Sequence, residues 1–230
     1  MPRNIMVANS VSKTTLDMLK EKFETCTPVD EFIHQKLLSM FFVYLIVGGM
    51  PDAVKTYIET KDIREVDKVQ RDIITLYKED FSQYELEEKK LKLKSIYDII
   101  PAETKFELIN KNGEVNNGAH FGNAIAQQLT ANGFESYFCK KRNVGELDFV
   151  IEMSGKVVPI EVKSGKAYKA HKALNHFMSV PDYHIEKWYV FSVGNVETEG
   201  TVTYLPIYMC YLLKEKKIDQ MIVDLDMEGL

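Results

Sequence analysis

Two periodicities divide the chain. Up to about residue 100, apolar positions recur every three or four residues, the repeat of a helix with one buried face. Leu16 and Leu19 sit at helical spacing in a helix predicted from Lys13 onward. Thr27-Pro28-Val29-Asp30 signals the next helix start, with the proline near its first turn. Residues 29–45 follow, with Phe32, Ile33, Leu37, Phe41 and Tyr44 as the expected buried stripe. Gly48-Gly49-Met50-Pro51 breaks this helix: two glycines permit backbone angles that other residues avoid, and Pro51 can open a short helix over 52–60. Residues 63–84 carry the strongest helical repeat, through Ile63, Val66, Ile73, Tyr77, Phe81 and Tyr84. A charged connection over 85–94 runs into a short helix, and Ile99-Ile100-Pro101 closes the helical half.

Residues 105–118 are rich in asparagine and glycine and read as a linker. The predicted organisation is a helical region over 1–104, the linker, and an α/β domain over 119–230. In that domain a helix over 119–132 stops at Gly133. A strand over 134–139, a basic loop and a hairpin over 144–164 come next. A helix over 168–178, strands over 185–193 and 201–205, and a last helix over 207–213 complete the order. The fold class is α/β (α+β): an N-terminal helical region followed by a small mixed sheet flanked by helices.

The hairpin holds the densest chemistry. Ser154 and Gly155 suit a two-residue turn, so Met153 faces Lys156 and opposed residue numbers sum to 309. Side chains alternate along a strand. Leu147, Phe149 and Ile151 then share a face with Val158, Ile160 and Val162, while Asp148, Glu161 and Lys163 share the other, with Asp148 opposite Glu161 and Glu146 opposite Lys163. Two carboxylates at that separation are kept cheaply only if solvated or joined by a cation. One reading is a solvated polar face with Lys163 as partner. The other is a Mg²⁺ site for phosphodiester hydrolysis, since Mg²⁺ takes one or two carboxylates plus water and an ammonium can offset developing charge.

Lys140, Lys141 and Arg142 precede the hairpin, and Lys166, Lys169 and Lys172 follow it. They form either a basic rim for DNA phosphates or ordinary solvated charge. The whole chain does not attract polyanions: with 29 Lys and Arg against 34 Asp and Glu, net charge is −5. At 230 residues and 45% hydrophobic, the composition is that of a globular protein. The longest apolar run is too short for a bilayer, no secretory signal is expected, and three widely spaced cysteines fit reduced thiols in a cytoplasm. No zinc pattern, nucleophile elbow, dinucleotide fingerprint or phosphate loop occurs, so no ATP site is expected.

The stretch GELDFVIE…PIEVKSG resembles the PD-(D/E)xK restriction-endonuclease-like superfamily. More narrowly, the GGMP segment with its flanking helices, the helix leading to IYDIIP, the segment FGNAIAQQLTANGF and the hairpin make the chain similar to the C-terminal part of AAA-type ATP-binding proteins that end in a domain of unknown function (the 4143 type). The resemblance implies Asp148 and Glu161 as metal ligands, Lys163 as catalytic lysine and Mg²⁺ as cofactor. It implies that residues 1 to about 45 are the tail of an ATPase lid. The ATPase core has no counterpart here, and a helical stretch usual after the IP motif is short. Where the family pattern offers a glutamate in a sequence such as FEN, this chain has Phe121-Gly122-Asn123, leaving only the neutral oxygens of Asn123 or Gln127.

The expected function is a Mg²⁺-dependent DNA nuclease-like domain with impaired catalysis. The alternative is a non-catalytic DNA- or protein-binding remnant of an AAA-type ATPase, and a third reading is a decayed gene product. Expected partners are DNA, a second copy packed through residues 29–84, or a separate ATPase subunit.

Overall fold

A computed structural model describes residues 11–83, 89–92, 95, 117–141, 145–165, 168–169, 177 and 185–214, with side chains described except at 81–83, 138–141 and 145–146. Helices lead. α1 (Lys13–Thr25) is capped by Ser12, whose hydroxyl accepts from the Thr15 N–H at 3.1 Å, and it stops at Cys26 in the left-handed region. α2 (Glu31–Val47) is capped by Asp30 through the Ile33 N–H at 3.2 Å, so Pro28 lies outside the helix and not in its first turn. Gly48, at φ 75°, ends α2, and Pro51 opens α3 (Pro51–Thr60). α4 (Ile63–Gln83) begins after Asp62, which accepts from the Arg64 backbone at 2.9 Å. Gln70 on α4 donates through Nε2 to the carbonyls of Ile46 (3.1 Å) and Val47 (2.9 Å), satisfying carbonyls that the end of α2 leaves open.

The expected stripe on α2 is displaced. Phe32 is 78% exposed, and the buried face runs His34, Leu37, Leu38, Phe41, Tyr44 and Val47. His34 tolerates burial because both ring nitrogens are bonded: Nε2 lies 3.1 Å from the Val193 carbonyl and Nδ1 lies 2.9 Å from the Tyr208 hydroxyl. A carbonyl only accepts, so Nε2 carries the proton and Nδ1 accepts from Tyr208. On α4 only Val66 of the predicted stripe is buried. Ile63 and Tyr77 are exposed, and the side chains of Phe81 and Tyr84 lie outside the described residues.

α5 (Asn117–Ala131) starts two residues earlier than predicted. The sheet follows: β1 (Ser136–Lys141), β2 (Gly145–Met153), β3 (Lys156–Lys163), β4 (Trp188–Ser192), β5 (Glu197–Glu199) and β6 (Val202–Pro206). Strand order is β1-β2-β3-β4-β6-β5, with β3, β4 and β6 mutually parallel and the other pairs antiparallel. Lys140 and Lys141 continue β1 and do not belong to a loop. The three-residue β5 escaped the sequence pattern because it has no buried position. The predicted helix over 168–178 and most of the predicted linker lie outside the described residues.

The last predicted helix is a single 3₁₀ helix, Ile207–Leu212, fed directly by β6. Ile207, Tyr208, Met209, Cys210 and Tyr211 are all buried. A six-residue segment that is apolar all round has no solvent face, so it serves as a plug. It meets α1, α2, α5, β4 and β6. One apolar cluster therefore runs from Leu19 through Phe41 and Phe121 to Leu213, and joins the N-terminal helices to one face of the sheet. The Phe41 and Phe121 rings pack edge-to-face at 5.5 Å, a contact worth about 0.5–1.5 kcal/mol beyond its area. A second cluster built on Leu147, Trp188, Val190, Val202 and Tyr204 covers the opposite face.

Candidate functional site

The β2–β3 hairpin forms in the expected register. Ser154 (φ 56°) and Gly155 (φ 76°) both take positive φ, as a primed hairpin turn requires, and the pairs run from Met153↔Lys156 to Phe149↔Ile160. The other edge of β2 departs from the simple alternation. From Tyr137↔Val150 to Cys139↔Leu147, β2 advances three residues while β1 advances two. The extra residue is a bulge at Asp148 and Phe149. It turns Leu147 away from Phe149 and Ile151: Leu147 packs with Trp188 and Val190 on one face, while Phe149 and Ile151 join the cluster on the other. The expectation that Leu147 shares their face is thus corrected, because a bulge inserts one residue into a period of two.

At the bulge Asp148 reaches across to β3, and its Oδ2 accepts from the Val162 N–H at 2.7 Å. A carboxylate takes the place of a backbone carbonyl there and ties itself to the residue beside Glu161. Glu161 is 5% exposed and pairs with Lys163, whose side chain is one-third exposed. A buried carboxylate persists only when its charge is met. Lys163 meets it with its ammonium. Asp148, Glu161 and Lys163 thus gather on adjacent strands, all three already engaged by protein groups. Glu146, expected opposite Lys163, has no described side chain.

These donors fit a hard divalent cation in number, since Mg²⁺ is often held by one or two carboxylates with water. Among the described residues no group of three or more His, Cys, Asp or Glu comes together. Gly122 lies on α5, and a Cβ there would meet nothing within 4 Å, so a side chain has room at this position. Asn123 and Gln127, the neutral alternatives, instead line a cavity of about 660 Å³ against the helical part, and none of Asp148, Glu161 and Lys163 lines it.

Of the basic positions, Lys169 pairs with Glu197 and lies 5.8 Å from the centre of the Tyr204 ring. The side chains of Lys140 and Lys141 are not described, and Arg142, Lys166 and Lys172 fall outside the described residues. Tyr168, beside Lys169, packs edge-on to Tyr204 at 5.9 Å. A Cβ at Gly194 would come within 2.5 Å of the Tyr168 ring, so only glycine admits the ring in this position. Among the described residues no helix is long and apolar enough to cross a membrane.

Residues 39–139 match a family described as a domain of unknown function (DUF8612). Residues 117–210 match another, described as a domain of unknown function (DUF4143). The second match takes in α5, the whole sheet and the start of the 3₁₀ helix; the first takes in most of α2, α3, α4 and α5. No curated protein and no solved structure matches the chain.

Proposed function

We propose that the chain carries a PD-(D/E)xK-like domain that acts on DNA phosphodiesters with Mg²⁺, weakened by the loss of a third carboxylate. The observation that carries this reading is the bulge that brings Asp148 against β3 at Val162, next to the Glu161–Lys163 pair. Asp148 and Glu161 would hold the ion, which supplies Lewis acidity toward a phosphate oxygen. Lys163, bonded to Glu161 and partly open to solvent, offers its ammonium to the charge that grows on the phosphate. The Val162 N–H orients the Asp148 carboxylate, and the buried setting of Glu161 strengthens every charge interaction around it.

Calorimetric titration with Mg²⁺ or Mn²⁺ tests the site. Binding is expected in the native chain, lost in Asp148→Asn and Glu161→Gln, and tightened in Gly122→Glu; no binding at ~1 mM metal removes the reading. Plasmid nicking tests the chemistry. Lys163→Arg keeps the ion pair but misplaces the charge, and it should lower nicking at least tenfold; equal nicking would assign the activity to a contaminant.

A second reading is a non-catalytic remnant of an AAA-type ATP-binding protein that binds DNA or a separate ATPase subunit. It is favoured by the engagement of both carboxylates within the protein and by the pairing of Lys169 with Glu197. Metal-independent DNA binding without nicking would select it.

A further inference from the structure

The cavity beside the Gly48-Gly49-Met50 turn is a separate place from the hairpin. It opens between the end of α2, that turn, α4 and α5, and its volume of about 660 Å³ lies within the range of small-molecule pockets. Its polar lining is Tyr44, Gln70, His120, Asn123, Gln127 and Gln128, and its apolar lining includes Val47 and Ile74. Among the described residues no Lys, Arg, Asp or Glu lines it. A ligand charge buried there would find no countercharge, so the wall selects a neutral molecule.

Gln128 tells which hydrogen-bonding group that molecule must offer. It is 4% exposed, and its Nε2 donates to Asn132 Oδ1 at 2.8 Å. The orientation of both amides is fixed by chemistry. Asn132 Nδ2 faces the main-chain carbonyls of Cys210, Tyr211 and Leu213, which only accept, so Asn132 turns its Oδ1 to Gln128. Gln128 must answer with its NH₂. Its Oε1 is left buried with no hydrogen-bond partner. A buried acceptor in this state costs about 1–3 kcal/mol, and a ligand N–H would recover that cost once the Gln128 side chain turns its Oε1 to the cavity. Gln70 keeps only its Oε1 as acceptor, its NH₂ being spent on Ile46 and Val47, while Asn123, Gln127 and the imidazole of His120 offer both donors and acceptors, the mixed edge that a planar nitrogen heterocycle also presents.

We infer that this cavity binds an uncharged nucleobase, free or within a nucleoside, with a ring or exocyclic N–H donated to Gln128 Oε1. The inference is independent of the metal site: it uses other residues and needs no cation.

Saturation-transfer NMR and calorimetry with adenosine, guanosine, cytidine and uridine at ~1 mM, with ribose as control, test it. At least one nucleoside should bind through its base protons, and ribose should not. Gln128→Leu should weaken that complex about tenfold while changing the melting temperature of the free protein little, because it removes one unsatisfied acceptor and leaves Asn132 Oδ1 as another. Asn123 is exposed, so Asn123→Tyr keeps the fold and should obstruct the mouth, abolishing binding. Absence of binding by all four nucleosides overturns the inference, as does binding that neither substitution alters.

Discussion

His34 shows how much a single side chain can decide. Its two bonds connect α2 to the 3₁₀ helix and to the turn after β4, across sequence separations of 174 and 159 residues. Burial pushes the Tyr208 hydroxyl well above the usual phenol range, so it remains a donor across the working pH span. His34→Leu should therefore destabilise the protein by about 1–3 kcal/mol, since the Val193 carbonyl and the Tyr208 hydroxyl both lose a partner. Tyr208→Phe should cost less. Urea unfolding checks the magnitude, and Cys210 supplies a local readout. Its thiol is fully buried and pushed up to about 12 by burial, so it labels only on opening, and faster labelling of the Cys210 peptide is expected in His34→Leu. Nothing in the sequence distinguished this histidine from a solvated one. Its partners come from the far end of the chain, and helical spacing alone favoured Phe32 and Ile33 for the buried face.

At the scale of elements, hairpin and helix were legible to different depths. Ser154-Gly155 set the β2–β3 register because a primed turn fixes it locally. The bulge in β2 was not legible, since it is defined only by pairing with β1, and it moved Leu147 to the other face. The positions of Asp148, Glu161 and Lys163 on neighbouring strands followed from the turn. The bond from Val162 to Asp148 did not, because a carboxylate standing in for a backbone acceptor leaves no periodic trace. α5 was predicted by its spacing despite Gly122 near its start. With free space around that position, Gly122→Ala should stabilise the protein by about 0.5–1 kcal/mol through helix propensity alone. A rise in thermal midpoint with unchanged metal binding is the expected result. Metal affinity should respond to glutamate there and not to alanine.

The whole molecule is unified by the 3₁₀ helix. The 3₁₀ helix fills the space between α1, α2, α5 and the sheet, so the apolar cluster ignores the boundary that composition suggests near residue 105. A fragment over 117–214 would expose the surfaces that Leu19, Leu37 and Phe41 cover. It should unfold without the sharp cooperativity of the full chain, as circular dichroism during heating would show. Adding a peptide spanning residues 11–47 in trans should restore part of the transition. The Asn195 side chain shows the same closure in polar terms: its Oδ1 accepts from the Val29 N–H at 2.9 Å and its Nδ2 donates to the Val29 carbonyl at 2.7 Å. These partners are 166 positions apart. On a ribosome adding about 5–20 residues per second, Val29 waits on the order of ten to thirty seconds for Asn195 to be made. Through that interval α1 and α2 lack β6 and the 3₁₀ helix to rest on, and their apolar faces are open to other chains. High contact order thus predicts a newborn polypeptide that gains yield when chaperones are supplied during synthesis, whatever the finished protein does.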